Sequence, residues 1–182
     1  MVVLPPGTIL QLMYLQERLN KVKPGRFIEV GPGSGEITRM LLDNGWVGRS
    51  FDLEPKTIEA LTVRFKIEID AQRYTPINQD FLSDSEGMEE VDLVISCMVM
   101  EHMDDDAHVA YMKKSKECLN GDGLMVGLVP ASPAHWGIED DIAGHFRRYT
   151  RTTLKTLLSK ADWHLPHVAG LTFPVSNILL PL

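Results

Sequence analysis

Cysteine is scarce in this chain, and the sequence has no long apolar run and no excess of basic residues. Two cysteines, Cys97 and Cys118, occur among 182 residues. Two are too few for a disulfide scaffold, and their spacing matches no metal-binding pattern. We therefore exclude the disulfide-rich secreted domains, and we expect both thiols to act as small apolar groups in a reducing compartment.

No apolar run reaches about 18 residues, the length at which a segment becomes a candidate for spanning a membrane. The chain also begins without the pattern of a secretory signal. Its net charge at neutral pH is −7, and an acidic balance disfavours nucleic acids and anionic membranes as partners. We expect a cytoplasmic protein that binds neither nucleic acid nor membrane.

Length and composition are ordinary for a globular protein. Hydrophobic residues make up 44% and charged residues 24% of the chain, whose length of 182 residues suffices for a sizeable core. No internal repeat or interdomain linker is evident. The sequence therefore predicts one domain over residues 1–182.

Helical and strand patterns alternate along the chain. The segment 91–97 is nearly continuously apolar, as a buried parallel strand should be. Such alternation predicts an α/β fold, a doubly wound and mostly parallel sheet with helices on both faces. Strands are predicted at 26–30, 46–53, 74–78, 91–97, 124–129 and 163–173, and helices at 8–21, 55–67, 104–119 and 150–160, with another helix after residue 35.

A glycine turn, Gly31-Pro32-Gly33-Ser34-Gly35, joins the first strand to the next helix. Glycine permits a sharp turn and a close approach of the main chain to a ligand, and the helix N-terminus directs its amides there. A dinucleotide fingerprint needs glycine where Glu36 stands, and the Lys-Ser/Thr ending of a Walker loop is missing. Glu29, two residues before the turn, would repel a pyrophosphate but suits a ligand with an ammonium and a sulfonium, as in S-adenosylmethionine.

The segment Glu29-Val30-Gly31-Pro32-Gly33-Ser34-Gly35 resembles the first motif of the class I S-adenosylmethionine-dependent methyltransferases. Residues 91–94 and 119–123 are also similar to that family, and the resemblance extends roughly over residues 8–173. It implies a Rossmann-like fold, S-adenosylmethionine as cofactor and S-adenosylhomocysteine as product. The family's sheet has a seventh, antiparallel strand, which we do not find in this sequence.

The resemblance also implies roles for acidic residues at the strand ends. Asp52 lies 21 residues after Gly31, so it is expected at the ribose hydroxyls, while its rival Glu54 is expected to cap the next helix. Asp80 is expected at the adenine amine with Phe81 against the ring, and the alternative for Asp80 is a turn residue. The expected cofactor-binding set is Glu29, Gly31, Pro32, Gly33, Gly35, Asp52, Leu53, Asp80, Phe81, Cys97 and Met98.

Residues 130–149 are predicted to form a long loop after the fifth strand. Loops of this length are usually functional or disordered. Its end, Gly-His-x-Arg-Arg-Tyr at 144–149, is similar to an element of a subset of small-molecule methyltransferases, which implies a substrate lid. The alternative for the two arginines is ion pairing with residues 139–141. The expected substrate contacts are Trp136, Arg147, Arg148 and Tyr149.

Two histidines at the expected ligand edge, His102 and His145, are the candidate catalytic bases for a hydroxyl or protonated amine acceptor, although each could instead have a structural role. The acidic run at 104–106 resembles a metal-binding motif but fits a helix N-terminus better. We therefore assign no metal site. A metal-assisted reaction on a catechol-like diol, using Asp140, Asp141 and His102, stays open as an alternative.

The resemblance favours an enzyme that methylates an oxygen or nitrogen of a small molecule. A second alternative is a non-catalytic partner subunit that keeps the cofactor fold. Residues 173–182 are apolar and leave the seventh strand unaccounted for. We expect either a truncated carboxyl end or an edge that a protein partner or a second copy fills.

Overall fold

The computed structural model describes residues 4–84, 90–164 and 167–171. The chain divides into two compact units, Met1–Lys23 with His167–Leu182, and Pro24–Pro166. Among the helices of the described residues, none combines the length and apolarity that a membrane span requires. The single domain expected over residues 1–182 stays a prediction.

The smaller unit contains the first helix, α1, Pro6–Leu19. It begins two residues earlier than predicted, directly after Pro5, because proline fits the first turn of a helix. The Tyr14 hydroxyl lies 2.5 Å and the Arg18 Nη2 atom 2.8 Å from Nε2 of His167. These contacts attach His167 to α1.

The larger unit is built on five parallel strands in the order β3-β2-β1-β4-β5. Glu29 of β1 lies opposite Ser50 of β2 on one side and Ile95 of β4 on the other. The chain reverses its direction of winding between β1 and β4, which is the point where such sheets bind ligands. The doubly wound α/β fold predicted from the sequence is confirmed. The strands are β1 Arg26–Val30, β2 Val47–Asp52, β3 Tyr74–Asn78, β4 Val91–Cys97 and β5 Leu119–Leu128.

Helices join and flank these strands. Asp104 accepts a hydrogen bond from the Ala107 amide at 2.8 Å, so the acidic run is the N-terminus of a helix, as predicted. The predicted helix 55–67 breaks at Phe65, whose ring is fully buried and packs edge-on against Tyr74. The helices are α2 Glu36–Asp43, α3 Pro55–Arg64, α4 Lys66–Asp70, α5 Asp105–Cys118, α6 Ile138–Ala143 and α7 Arg151–Lys160, with 3₁₀ turns at Phe81–Ser83, Met100–His102 and Pro133–His135.

The fifth strand begins at Leu119, five residues before its predicted start at 124. Its register with β4 jumps from the pair Val91 and Leu119 to the pair Leu93 and Leu124. The predicted stop at 120–123 is therefore an irregularity within the strand. Asn120 donates a hydrogen bond to Asp92 at 2.6 Å and so holds the irregularity against β4.

The sixth strand predicted over 163–173 is wrong for the residues described there, 163–164 and 167–171. The Trp163 indole donates a hydrogen bond to the Met112 carbonyl at 2.9 Å and packs against the core, which turns the chain onto α5. The expected apolar end at 173–182 lies outside the described residues.

Candidate active site

The turn after β1 requires its glycines for two different reasons. Gly31, Gly33 and Gly35 have φ angles of 68°, 52° and 82°, in the left-handed region that favours glycine. A Cβ on Gly31 would lie 2.4 Å from Cγ2 of Val99, and one on Gly35 would lie 2.6 Å from Cε2 of Phe65. Among the residues that the structure describes, a Cβ on Gly33 would meet nothing within 4 Å. The main chain at Gly33 therefore faces open space, as a ligand cradle must.

The helix α2 begins immediately after this turn with its first amides uncapped by a side chain, because its N-cap residue is Gly35. Uncapped amides and the positive end of the helix dipole favour a carboxylate or another anion at the turn. Arg64 donates hydrogen bonds to both carboxylate oxygens of Glu36, at 2.8 and 3.2 Å. This ion pair fastens the first turn of α2 to α3.

The Glu29 carboxyl group lies beneath the turn and is 2% exposed. Its Oε2 atom accepts hydrogen bonds from Thr38 at 2.5 Å and from Ser50 at 3.2 Å. Burial raises the pKa of Glu29 to about 7, and the two hydroxyls only partly oppose that rise. Glu29 thus joins β1 to α2 and β2. Its expected interaction with a cationic ligand stays a prediction.

Asp52 ends β2 at the same edge of the sheet. One of its carboxylate oxygens accepts a hydrogen bond from the Glu54 amide at 2.8 Å, and its carbonyl accepts one from the Asn78 side chain at 3.0 Å. The Glu54 carboxylate accepts from the Lys56 amide at 3.2 Å. The predicted capping role of Glu54 is confirmed, which leaves Asp52 as the ribose candidate. Leu53, between them, is exposed and free to contact a ligand.

Asp80 and Phe81 follow β3 but differ in their surroundings. Asp80 is exposed, and its side chain accepts a hydrogen bond from the Leu82 amide at 2.9 Å, so it does form the turn that was its alternative role. Phe81 is buried, with ring centroids 5.5 Å from Phe51 and 5.7 Å from Tyr111. A ring enclosed in this way offers no face to a base. The structure therefore corrects the expected stacking role of Phe81 to a role in the core.

The end of β4 carries the other two expected cofactor contacts. Cys97 is half-buried, and burial raises the pKa of its thiol to about 11, so the thiol is neutral. Met98 has a left-handed φ of 56° and is 41% exposed. Its amide donates to the Leu128 carbonyl at 2.9 Å. A non-glycine residue in this conformation stores about 1 kcal/mol of strain, and such residues cluster at functional sites.

Glu101, His102, Asp140 and His145 form an acid–histidine cluster beyond the end of β4. The ring centroids of His102 and His145 are 4.8 Å apart, so the structure brings both predicted catalytic histidines together. The Phe146 amide donates to the Glu101 carbonyl at 2.7 Å, which holds the two segments against each other. Sequence reasoning gave Glu101 no role, although it is adjacent to His102.

Asp140 orients His145. Its carboxylate lies 2.8 Å from Nδ1 of His145 and accepts from Arg148 Nε at 2.9 and 3.0 Å and from the Gly137 amide at 2.9 Å. Arg148 holds the pKa of Asp140 well below its usual range, so the carboxylate is ionised. An ionised acceptor assigns the proton to Nδ1 and leaves the Nε2 lone pair of His145 for other chemistry.

These contacts exclude the metal site that combined Asp140 and Asp141 with His102. Both oxygens of Asp140 are engaged by Arg148, which supplies the ion pair that was the alternative for that arginine. Asp141 accepts a hydrogen bond from the Trp136 indole at 3.0 Å. Among the described residues, the side chains whose donor atoms lie close enough to share one cation with His102 are Glu101 and His145.

Two other residues that were expected to contact the substrate form hydrogen bonds within the protein instead. Arg147 donates to Asp105 at 2.6 Å and to the Met103 carbonyl at 3.1 Å. Tyr149 is buried, and its hydroxyl donates to the Met100 carbonyl at 2.8 Å. The structure corrects their role, because these bonds attach residues 147–149 to the start of α5 and to the turn that carries Glu101.

The segment 130–149 is not the irregular loop that was predicted. It contains the 3₁₀ turn Pro133–His135 and helix α6, and Ala131 bridges Tyr149. The i and i+4 spacing of its two isoleucines could have indicated the helix. Large apolar side chains along the segment are nevertheless exposed. They are Trp136, Ile138, Ile142 and Phe146.

A family model described as a methyltransferase domain matches residues 10–168. No curated protein matches the chain in sequence. Solved structures do match in fold. This chain covers only 50% to 54% of the length of several of them. At the identities below, the likeness shows the fold alone.

Three solved structures illustrate that likeness. N-methyltransferase NodS from Bradyrhizobium japonicum WM9, crystallised with S-adenosylhomocysteine, is 20% identical, with a TM-score of 0.68 over 85% of this chain and 74% of that one. O-methyltransferase NcsB1 from neocarzinostatin biosynthesis, crystallised with the same compound and 1,4-dihydroxy-2-naphthoic acid, is 20% identical, with a TM-score of 0.60 over 83% and 51%. Small RNA methyltransferase HEN1 is 17% identical, with a TM-score of 0.70 over 88% and 22%.

Proposed function

Since this chain belongs to the methyltransferase domain family, we propose that it transfers a methyl group from S-adenosylmethionine to an oxygen or nitrogen of a small-molecule acceptor. The cofactor supplies a methyl group already activated on a sulfonium. The observation that carries the proposal is the open glycine turn after β1, at the switch point of the sheet, with Asp52 ending the neighbouring strand.

The residues around the turn fit this cofactor. The main chain at Gly33 leaves space for it, and the uncapped amides of α2 suit its carboxylate. Asp52 uses one oxygen on the Glu54 amide and can offer the other to ribose hydroxyls. Exposed Leu53 and Met98 supply apolar surface for the adenine ring. Asp80 uses one carboxylate oxygen on the Leu82 amide in its turn and can offer the other to the adenine amine.

The acceptor side is formed by the acid–histidine cluster and the exposed apolar side chains of 136–146. The oriented Nε2 lone pair of His145 can act as a general base, and the His102 ring lies beside it. Apolar groups such as Trp136 suit an organic acceptor. The net charge of −7 favours a small molecule over a polyanion.

The non-catalytic alternative depends on a seventh strand that the sequence does not reveal and on residues 173–182, which lie outside the described part of the chain. The retained acids Glu29, Asp52 and Asp80 favour a working cofactor site over a degenerate one. Methyl transfer needs this site to align the donor with the acceptor and to exclude water.

Calorimetric titration of the purified chain tests the proposal. We expect micromolar binding of S-adenosylmethionine and S-adenosylhomocysteine and no binding of NAD. The Asp52→Asn variant should bind S-adenosylhomocysteine roughly 10- to 100-fold more weakly, because a charge-assisted hydrogen bond is worth about 1.5–3 kcal/mol. Glu54→Gln is the matched control and should bind as the wild type does. Failure of the wild type to bind either compound would refute the proposed function, and unchanged affinity in Asp52→Asn would refute the ribose assignment.

A further inference from the structure

The Glu101 side chain is buried in an arrangement that a carboxylate does not tolerate alone. Glu101 is 0% exposed, and neither of its carboxylate oxygens has a hydrogen-bond partner in the part of the chain that the structure describes. A buried ionised carboxylate is costly unless a charge or hydrogen bonds compensate it. The group can meet this cost by keeping its proton, and a cation held beside it would stabilise the ionised form instead.

Two imidazoles surround that carboxylate. Donor atoms of Glu101, His102 and His145 all lie within 4.8 Å of one another. A cation bound about 2.0–2.2 Å from each donor would need side-chain movements of about 1 Å. Three convergent donors of this kind, one of them an orphaned buried carboxylate, form a cation-binding arrangement.

The surrounding contacts prepare His145 to be a ligand. Asp140 lies 2.8 Å from Nδ1 of His145, which directs the Nε2 lone pair away from Asp140. Asp140 is itself fixed by two hydrogen bonds from Arg148. Histidine ligands of metals usually donate their second ring N–H to such a carboxylate, which fixes the tautomer and makes the ligating nitrogen more basic.

We propose that Glu101, His102 and His145 bind one divalent transition-metal cation, through one carboxylate oxygen and two imidazole nitrogens. Imidazole ligands favour Zn²⁺, Fe²⁺ or Ni²⁺ over Mg²⁺ and Ca²⁺, which prefer all-oxygen sets. Three protein ligands leave coordination positions open, as in catalytic rather than structural metal sites.

The catalytic role of this cation rests on the proposed function, whereas its binding does not. A hydroxyl of the acceptor takes an open position, its pKa falls, and its proton passes to solvent water. The resulting oxygen anion attacks the methyl carbon, the carbon–sulfur bond breaks, and the bonding electron pair stays on sulfur to give S-adenosylhomocysteine. The site therefore selects an oxygen acceptor over a nitrogen acceptor, and His145 acts as a ligand instead of as the base.

Titration of the chelator-stripped full chain with Co²⁺, followed by visible absorbance, tests the site. We expect one Co²⁺ per chain, which Zn²⁺ displaces. Loss of a ligand should exceed the roughly 10- to 100-fold cost of losing an outer contact, so Glu101→Gln and His145→Ala should each weaken binding by more than about 100-fold. His135→Ala removes an exposed histidine of the same segment, held by Ser132, and should leave Co²⁺ binding unchanged.

Thermal unfolding of the metal-free proteins separates a lost ligand from a lost fold. Glu101→Gln keeps the side-chain shape and removes an unpaired charge, so its melting temperature should equal or exceed that of the wild type. Absence of Co²⁺ binding, or binding that survives in both Glu101→Gln and His145→Ala, would overturn the metal site. S-adenosylhomocysteine binding is measured on the same metal-free chain, so a failed metal site and a failed methyltransferase function give different results.

Discussion

Glu29 makes the stability of this protein depend on pH in a way that can be calculated. Burial raises the pKa of Glu29 from 4.5 to about 7, so the folded state binds this proton more tightly than the unfolded state does. The stabilisation is complete below about pH 4.5 and is lost as the pH rises to about 7. At about 1.4 kcal/mol per pKa unit, the loss above pH 8 is about 3 kcal/mol.

Glu29→Gln removes this titration while keeping an oxygen that can accept the bonds from Thr38 and Ser50. The variant should be more stable than the wild type by about 3 kcal/mol near pH 8 and by under about 1 kcal/mol near pH 5. The neighbouring groups Tyr74 and Cys97 stay neutral in this range, because burial raises their pKa values to about 12 and about 11. They therefore add no titration of their own.

Urea unfolding of both proteins at the two pH values measures this difference. Glu59→Gln is the control, because Glu59 is exposed on α3 and its substitution should change stability by less than about 0.5 kcal/mol at either pH. A stability difference between Glu29→Gln and the wild type that is the same near pH 5 and pH 8 would refute the reasoning. A variant that is less stable near pH 8 would do so as well.

Two further predictions concern the glycine turn and the hydrogen bond from Tyr149 to the Met100 carbonyl. Gly31→Ala should lose about 2–4 kcal/mol of unfolding free energy, because a Cβ 2.4 Å from Val99 adds overpacking to a left-handed φ. Gly33→Ala should lose only about 1–2 kcal/mol, since its Cβ meets nothing, yet it should weaken S-adenosylhomocysteine binding in calorimetry. Equal stability losses in the two variants would contradict this account. Tyr149→Phe removes the hydroxyl that donates to the buried Met100 carbonyl, which keeps the Met103 amide as a second donor at 3.2 Å, so the substitution should cost about 0.5–1.5 kcal/mol in urea unfolding. A cost near zero would show that the Tyr149 hydrogen bond is not needed.

The elements that were predicted with correct bounds carry strong local signals. The strands at 26–30, 74–78 and 91–97 have short apolar patterns between turn residues, and the structure places them at those residues. The glycine turn was predictable for the same reason, because its chemistry depends on residues adjacent in sequence. Glu54 and Asp104 were correctly predicted as helix caps, since a cap is also a local feature.

The features that were missed depend on contacts between distant residues. Whether Phe81 faces a ligand or the core is decided by Phe51 and Tyr111. The left-handed conformation of Met98 has no sequence signal, because methionine does not favour it. Glu101 and His145 are 44 residues apart along the chain but lie close together in the fold. The sequence alone therefore does not indicate that the buried carboxyl group of Glu101 has this histidine as a neighbour.

The most direct test of the central claim is a crystal structure of the chain with S-adenosylhomocysteine. We expect the amino-acid carboxylate at the uncapped amides of α2, the main chain of Gly33 against the ligand, and the ribose hydroxyls on Asp52. Electron density for the ligand away from the glycine turn, with Asp52 making no contact to it, would contradict the claim that this turn is the cofactor site.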